Sequence, residues 1–413
     1  MKRIPSLLLC SVAAFLLAAP ASAQTFKILL RFPNQPGGGN PSALLDVNGN
    51  LYGTTQIGGP SKLGNIFELT SQGNESTLYS FTNTTPDGRT PTIGPLIQDA
   101  AGNFYGTTQN GGDYNCFVFF VRGCGTVFKL SPTGQETILH SFSGGADGAQ
   151  PLAGLAADAA GNLYGTTYQG GTGCSGGCGT VYKVTPTGVE SVLYSFTGGA
   201  DGSLPYSVVP VTDAEGNLYG TTLKSGDLSC GRGEGCGTVF KVDPSGYETV
   251  LYSFTDGADG AFPDAGLARD SQGNLYGTTS AGGNLNCDPG HTGCGTVFKV
   301  NPSGSLTVLY NFAYVDTGYG PISTLVLDPA GNLYGTTLYG GAAQWGGVFK
   351  VSSHGVYSLL HSFNTGNEFI DGIWPMAGLT RDSAGNLFGT TSAGGKGSCA
   401  NYYGCGVVFE LTP

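Results

Sequence analysis

The apolar residues of this chain lie in short runs that are rich in β-branched and aromatic side chains and separated by turn-forming residues. Such runs predict β-strands. Within one stretch they predict four strands, named a to d below, over residues 152–158, 162–167, 179–184 and 191–196. Strand d shows little polar alternation, which indicates a strand buried on both faces between neighbouring sheets.

The connections between these strands are of two kinds. Strands a and b are joined by Asp158-Ala159-Ala160-Gly161, and strands c and d by turns such as Ser-Pro-Thr-Gly at 131–134, both typical of type I turns. The b–c and d–a connections are longer and rich in Gly, Asp and Cys. An antiparallel meander therefore has the tight turns on one face, the turn face, and the long loops on the opposite face, the loop face.

The four-strand unit is repeated along the chain. The heptapeptide Gly-Asn-Leu-Tyr-Gly-Thr-Thr, or a near copy, recurs at spacings of 53 to 59 residues. The copies begin at Gly49, Gly102, Gly161, Gly216, Gly273, Gly331 and Gly385. A fixed period of this length is the signature of a repeat architecture, so we expect one tandem array rather than two or three unrelated domains.

The strand count indicates how the array closes. The last copy ends with strand c at 406–411 and lacks strand d, while residues 26–32 resemble the strand d at 248–254. If the two ends pair, seven complete blades result. The sequence thus predicts an all-β, seven-bladed β-propeller of four-stranded antiparallel blades, over residues 24–413, closed by pairing of the N-terminal strand with the last blade.

The repeated motifs carry a family resemblance. The unit Asp-x-x-Gly-Asn-Leu-Tyr-Gly-Thr-Thr, followed by Gly-Thr-Val-Phe-Lys-Val-x-Pro-x-Gly and Val-Leu-Tyr-Ser-Phe, resembles the GloVer tandem repeat of choice-of-anchor tandem repeat GloVer-containing proteins. The resemblance covers all seven copies. It implies an exported bacterial protein of propeller type, with no established activity and no catalytic residues to carry over.

The N-terminus predicts export. Lys2 and Arg3 precede an apolar stretch, and Ala21-Ser22-Ala23 forms a small-x-small cleavage site. Residues 1–23 are therefore interpreted as a signal peptide cleaved after Ala23, which makes the mature protein secreted or periplasmic. No other stretch is long and apolar enough to span a membrane, and we expect a monomer.

Ten cysteines follow the predicted signal peptide, all in b–c loops. Their occurrence in twos in an exported chain predicts disulfides. Zinc binding is disfavoured, because the spacings vary and the four histidines are scattered. The predicted pairs are Cys116/Cys124, Cys174/Cys178, Cys230/Cys236, Cys287/Cys294 and Cys399/Cys405.

Composition and charge narrow the function classes. The formal charge is −11, and only 11% of residues are charged. A nucleic-acid partner would require a basic face, so it is excluded. Because the chain has 72 glycines, the Gly-x-Ser-x-Gly match at 173–177 is interpreted as a chance occurrence within a Cys-closed loop, and no catalytic residue is assigned.

Acidic residues recur in the d–a loops, each directly before a glycine: Asp87, Asp147, Asp201, Asp259 and Asp371. In a ring we expect them near the mouth of the central channel. One interpretation is a Ca²⁺ site, since Ca²⁺ takes carboxylate and carbonyl oxygens, and no other cofactor is predicted. The favoured alternative is that each Asp-Gly forms its own turn, because a single site usually breaks the symmetry of the repeats.

Residues that break the symmetry are better binding-site candidates. One cluster lies in the second copy and contains Tyr114, Phe117, Phe119, Phe120 and Arg122, of which the three phenylalanines are the predicted ligand-binding residues. The other lies in copies six and seven: Tyr339, Trp345, Trp374, Tyr402 and Tyr403. Exposed aromatic side chains suit stacking on a sugar or a peptide side chain, whereas packing within the loops is the structural alternative.

Two function classes follow from these features. The absence of an asymmetric acid/base constellation favours a non-enzymatic binding or scaffold propeller, whose disulfide-stiffened loop face engages a glycan or an envelope or extracellular protein. The alternative is an exported propeller enzyme, a lactonase-like hydrolase or a lyase, that uses channel carboxylates and Ca²⁺.

Overall fold

The computed structural model describes residues 24–33, 37–118, 121–206, 209–287, 293–314, 317–366, 368–395, 399 and 403–413. These residues form seven antiparallel blades of strands a to d arranged in a ring, as the sequence predicts. The predicted signal peptide, 1–23, lies outside the described residues. No described helix is long and apolar enough to cross a bilayer.

The strands of each class occupy equivalent positions in the seven blades. The b strands, from blade 1 to blade 7, are Asn50–Ile57, Phe104–Gly111, Leu163–Thr167, Leu218–Thr222, Leu275–Thr279, Leu333–Thr337 and Leu387–Thr390. The c strands are Asn65–Leu69, Thr126–Leu130, Thr180–Val184, Thr238–Val242, Thr296–Val300, Gly347–Val351 and Val407–Thr412. The outer d strands are Glu75–Ser80, Glu136–Ser141, Glu190–Ser195, Glu248–Ser253, Leu306–Asn311, Tyr357–Ser362 and Thr25–Arg31.

The inner a strands are shorter than predicted. They are Leu45–Val47, Ile97–Gln98, Ala156–Ala157, Val211–Thr212, Ala268–Arg269, Val326–Leu327 and Thr380–Arg381. Blades 1 and 2 add the inner segments Gly39–Pro41 and Gly88–Pro91, the loop of blade 2 adds a hairpin of Phe117–Val118 and Val121–Arg122, and Gly231–Gly233 forms a 3₁₀ turn.

Crowding near the axis explains the short inner strands. A Cβ placed on Gly94 in blade 2 would lie 2.0 Å from the backbone nitrogen of Gly154 in blade 3. The inner segments of neighbouring blades thus contact each other directly, and Pro151 has no N–H to donate to strand b. Pairing within blade 3 therefore covers Ala156–Ala157, where residues 152–158 were predicted.

The ring closes through the chain termini. Thr25–Arg31 pairs antiparallel with Val407–Thr412, from Thr25 opposite Thr412 to Arg31 opposite Val407. The Phe26 ring packs 5.5 Å from that of Phe409. The predicted closure is therefore confirmed. It consists of one strand pairing, between the first and the last strand of the described chain.

The core lies between the blades. The Phe that follows each strand d packs edge-on against the aromatic residue of strand c in the next blade, as with Phe142 and Tyr182 at 5.0 Å. Phe32 and Phe67 repeat this contact across the closure at 5.3 Å. Strand c is almost fully buried, whereas strand d is half-buried at the rim. The prediction that strand d is buried on both faces is therefore wrong, because it is the outermost strand.

The Gly-Thr-Thr motif of strand b has a packing explanation. A Cβ on Gly106 would lie 2.6 Å from the ring of Phe128 in strand c, so only glycine fits beneath that ring. The first threonine hydroxyl, Thr107 Oγ1, donates to the Ala153 carbonyl of the next blade at 2.5 Å. The second, Thr108 Oγ1, bonds Thr126 Oγ1 in strand c at 2.8 Å. The repeated residues thus hold the blade together and join it to its neighbour.

Candidate functional site

Five b–c loops of the loop face are closed by disulfides. The pairs are those predicted: Cys116–Cys124, Cys174–Cys178, Cys230–Cys236, Cys287–Cys294 and Cys399–Cys405, with Cα atoms 5.1 to 6.0 Å apart. The carbonyl of the second cysteine accepts a hydrogen bond from the next blade, as Cys236 does from the Phe262 N–H at 2.9 Å. Each closed loop therefore also holds the start of the following inner segment.

The donor in these bonds has a positive φ angle. In blade 1 it is Asn40, with φ of 54°. In blades 3 to 5 it is Gln150, Leu204 or Phe262, with φ of 55° to 56°, and in blade 6 it is a glycine, Gly320. A positive φ favours glycine. The non-glycine residues at this position are thus held in place by the hydrogen bond to the preceding loop.

Blades 1 and 6 have shorter b–c loops without cysteine. Trp345 takes the position of the second cysteine in blade 6, and Leu63 takes it in blade 1. The same backbone bond persists, since Trp374 N–H donates to the Trp345 carbonyl at 3.1 Å. In blade 6 a tryptophan side chain therefore stands where most other blades carry a disulfide.

Four aromatic side chains meet around Trp345 and form what we call the aromatic surface: Trp345, Phe369, Trp374 and Tyr403. The Trp345 ring lies 5.2 Å from Phe369, 5.6 Å from Trp374 and 6.0 Å from Tyr403. Tyr403 retains 38% of its accessible surface. Loops of blades 6 and 7 thus combine into one partly exposed aromatic patch.

The aromatic surface overlaps the predicted cluster without matching it. Trp345, Trp374 and Tyr403 come together as the sequence suggested, and Tyr402 lies outside the described residues. Phe369 was not among the predicted binding residues. The sequence feature that could have indicated it is the length of its d–a loop, which has more residues before Asp371 than the loop of blade 2 has before Asp147.

Tyr339 belongs to a separate stack. Its ring lies 5.2 Å from Tyr319, which in turn stacks 4.9 Å from Tyr314. Tyr339 is 40% exposed. The sequence placed Tyr339 with the two tryptophans, but its ring contacts lie with tyrosines of the d–a loop that precedes blade 6.

The described residues Phe117 and Arg122 of the second-copy cluster pair with each other in the hairpin inside the Cys116–Cys124 loop. Phe117 is 60% exposed, and Phe119 and Phe120 lie outside the described residues. The guanidinium carbon of Arg122 lies 5.3 Å from the centre of the Phe117 ring. This hairpin is a feature of blade 2 that no other described b–c loop shares.

The repeated aspartates are hydrogen-bonded within their own loops. Asp201 accepts bonds from the Tyr194 hydroxyl at 2.9 Å, from the Thr197 N–H at 2.7 Å and from the Thr197 hydroxyl at 2.5 Å. Equivalent bonds to strand d or the residues after it are made by Asp87, Asp147, Asp259 and Asp371. The carboxylates therefore lie beside the outer strands, and the expected position at the channel mouth is wrong.

Asp147 illustrates how hydrogen bonds around a d–a loop affect the pKa of its aspartate. Burial acts to raise its pKa, but hydrogen bonds from His140 and Ser143 outweigh burial and hold the pKa below its ordinary value. No group of three or more His, Cys, Asp or Glu side chains within the described ranges is arranged to hold a metal ion.

The central channel contains an apolar cavity of about 190 Å³. The residues described along its wall are aliphatic, small or hydroxyl-bearing, and include Ile93, Val209, Leu267, Ile322 and Met376. This wall therefore offers apolar contact rather than acid/base chemistry.

Asp264 is a carboxyl that the sequence reasoning missed. It occupies the position of Ile322 and Met376 in the repeat, and its Oδ1 atom is shielded from water without a hydrogen-bond donor. Burial raises its pKa to about 7. The sequence feature that could have indicated Asp264 is an acidic residue directly after the proline that precedes strand a. The other copies have apolar or hydroxyl-bearing residues or a tyrosine at this position.

Comparison with known proteins places the chain among repeat proteins. A family model described as the Gloeobacter/Verrucomicrobia repeat matches residues 15–232, 119–287 and 229–413. No curated protein matches the chain.

Solved structures resemble the fold at low identity. The extracellular domain of a putative one-component system from B. thetaiotaomicron aligns over 92% of this chain with 10% identity and a TM-score of 0.54. This chain spans 39% of that longer one. A putative 6-phosphogluconolactonase from Bacteroides uniformis aligns over 88% of this chain and 98% of its own, with 16% identity and a TM-score of 0.51. At such identities the likeness concerns the fold alone.

Proposed function

We propose, from the premise that this chain belongs to the Gloeobacter/Verrucomicrobia repeat family, that it is an exported binding propeller. Its aromatic surface would bind a glycan. The observation that carries the proposal is the meeting of Trp345, Phe369, Trp374 and Tyr403 at one partly exposed place on the loop face.

Flat rings suit this role for a physical reason. A pyranose ring presents a face of C–H groups that packs on an aromatic ring, and burying an aromatic side chain contributes much binding energy at a low entropic cost. The rigid backbone beneath the rings supports the same role, because Trp374 is held by its bond to the Trp345 carbonyl. A preorganised surface loses less entropy on binding.

Export is the second part of the proposal. Five disulfides are stable in an oxidising compartment and rare in the cytosol, which supports a secreted or periplasmic location. Together with the predicted signal peptide, they favour a ligand from the cell envelope or the surroundings.

A glycan array followed by calorimetry tests the proposal. Trp374→Gly removes one ring while suiting the positive φ, as Gly320 does at this position in blade 6. Leu204→Gly makes the same backbone change in blade 4 and serves as the matched control. We expect Trp374→Gly to weaken binding at least tenfold and Leu204→Gly to leave it unchanged, with both variants folded by circular dichroism.

Two results would overturn the glycan proposal. One is equal affinity of Trp374→Gly and the native chain for the best glycan. The other is the absence of any hit on the array, in which case binding of an envelope protein at the same surface becomes the surviving form of the proposal and is tested with the same two variants.

The enzymatic alternative is favoured by Asp264 alone. A carboxyl whose pKa is raised to about 7 by burial is suited to proton transfer at neutral pH. Hydrolysis of simple lactones by the native chain and by Asp264→Asn tests this alternative. Ca²⁺ binding is tested by thermal unfolding with added Ca²⁺, and a saturable rise in Tm would favour a bound ion.

A further inference from the structure

Two arginine residues contact each other on the loop face of blade 2, in a chain whose formal charge is −11. Arg89 lies in the inner segment Gly88–Pro91, and Arg122 ends the hairpin inside the Cys116–Cys124 loop. The Arg89 Nη2 group donates a hydrogen bond to the Arg122 carbonyl. Two elements that are 33 residues apart in sequence thus meet through this bond, and each of them carries one arginine.

An aromatic ring supports each guanidinium. The Arg89 Cζ atom lies 5.2 Å from the centre of the Tyr114 ring, and Arg122 Cζ lies 5.3 Å from that of Phe117. The Tyr114 hydroxyl donates to Asn83 Oδ1 at 3.3 Å, which holds that ring in turn. These cation–π contacts restrict the guanidinium groups without neutralising their charge.

Neither charge is matched by a carboxylate among the residues that the structure describes. The ion pairs found there lie elsewhere, and the nearby Asp87 bonds Tyr79 and Thr82. The Arg89 Nε–H is shielded from water and has no acceptor in the described part of the chain. The charge of this guanidinium is therefore not balanced within the described part of the chain, and an anionic ligand that reaches its other N–H groups would balance it.

We propose that Arg89 and Arg122, with the exposed ring of Phe117, bind the carboxylate-bearing sugars of an acidic polysaccharide. A guanidinium group matches a carboxylate through two parallel hydrogen bonds. Phe117 offers an apolar face beside that charge, which fits the C–H face of a uronic acid. The two arginines form a local basic site in an acidic chain, which suits contact with one or two acidic sugar units rather than with the extended backbone of a nucleic acid.

This site is separate from the aromatic surface and does not depend on it. Its residues belong to blade 2, whereas the rings of the aromatic surface belong to the loops of blades 6 and 7. Binding of an acidic sugar at blade 2 therefore stands or fails independently of neutral-glycan binding at Trp374.

Calorimetric titration with trigalacturonate tests the proposal, with maltotriose as the neutral sugar and inorganic phosphate as the anion without a sugar. We expect Arg122→Gln to weaken trigalacturonate binding at least tenfold and Arg122→Lys to restore part of it. We also expect the affinity to fall as salt is raised. Arg269→Gln is the matched control, because Arg269 lies 5.7 Å over Tyr219 in the same kind of contact on the turn face.

The Arg89→Gln variant also loses the hydrogen bond to the Arg122 carbonyl. Its trigalacturonate affinity is therefore interpreted together with its thermal unfolding curve. The proposal is overturned if trigalacturonate does not bind at millimolar concentration, or if Arg122→Gln and Arg269→Gln affect its binding equally. Equal or tighter binding of inorganic phosphate would overturn the sugar specificity. Unchanged trigalacturonate affinity in Trp374→Gly would support the separation of the two sites.

Discussion

The two sides of the ring differ at one repeated position, the first residue of the outer strand d. This residue lies at the boundary with the preceding blade, which we call the seam. In blades 6 and 7 its ring stacks on the fifth residue of the preceding strand d, and in blades 2 to 4 its carboxyl group interacts electrostatically with that residue. Blades 1 to 4 carry glutamate there, namely Glu75, Glu136, Glu190 and Glu248, of which Glu75 is exposed, whereas blades 5 and 6 carry Leu306 and Tyr357. In blade 7 the equivalent residue is Phe26, the second residue of its strand, because it pairs with Leu411 as Glu248 pairs with Val242.

In the acidic seams, the environment of the buried glutamate carboxyl groups disfavours their charged form. The Oε1 atoms of Glu136, Glu190 and Glu248 are shielded and unpartnered among the described residues. Burial, reinforced by Asp87, raises the pKa of Glu136 to about 8, and burial with Asp201 raises that of Glu248 to about 7. These seams therefore favour protonated carboxyls.

The apolar seams are filled by stacked rings. Tyr357 stacks on Tyr310 with ring centres 4.4 Å apart, and Phe26 stacks on His361 at 3.7 Å. Leu306 and Tyr252 pack against the same buried cluster. One backbone geometry thus accepts either chemistry, and the buried glutamates of the acidic side make the stability of their seams depend on pH.

We expect the largest effect on stability from a change in the ring closure, which lies on the apolar side. Deleting Thr25–Arg31 removes the stack of Phe26 on His361 and exposes the edge of Val407–Thr412. We expect Tm to fall by more than about 10 °C in calorimetry, because a whole strand is lost. An unchanged melting curve would contradict the closure.

Tyr357→Ala should weaken the blade 5–6 seam by about 3 kcal/mol, measured by denaturant unfolding, because it empties the space beside Tyr310. Tyr357→Phe is the matched control. It keeps the stack and loses only the hydroxyl bond to the Thr317 carbonyl, so we expect a cost of about 1 kcal/mol. Equal losses in the two variants would show that the stack contributes little.

The Leu306→Glu variant introduces a carboxyl group, as found in the acidic seams, into one of the apolar seams. At pH 9 we expect a loss of about 2 kcal/mol, because the new carboxylate is placed against the apolar cluster on which Leu306 packs. At pH 4 the carboxyl is protonated, and the loss should shrink. Leu306→Gln controls for size and polarity, and its loss should not vary with pH. A pH-independent loss in Leu306→Glu would break the comparison.

Glu136→Gln should have the smallest effect. In the folded chain Glu136 keeps its proton up to about pH 8, whereas the ordinary value is 4.5, so its contribution to stability falls as pH rises between these values. We expect the variant to melt a few degrees above the native chain at pH 9 and together with it at pH 4. The exposed Glu215→Gln is the control, and a shift of equal size there would refute the seam explanation.

Much of the fold could be predicted because each repeat encodes its own turns and strands. Asp158 illustrates this, since it accepts bonds from the Ala160 and Asn162 N–H groups and the Tyr164 hydroxyl, all within six residues. Local bonds of this kind leave a sequence signature in every copy. The disulfides are equally local, with partners four to eight residues apart.

The candidate sites were predicted less completely, because their residues meet across blades. Phe369 joins Trp345 through an extended d–a loop, and Arg89 reaches Arg122 from a different element. The aspartates were misplaced for the same reason. The order of the elements placed them on the loop face, but only the hydrogen bonds to strand d show that they lie at the rim.

The sequence by itself determined the number of blades, their order, the closure by the N-terminal strand and the five disulfides. These features depend on periodicity and on contacts between residues close in the chain, or on the simple count of strands. The tertiary structure alone decided which aromatic rings meet, where the carboxyls lie and which seams are acidic. Those outcomes depend on the distance between side chains of neighbouring blades, which are often more than fifty residues apart and which the repeat motif does not encode.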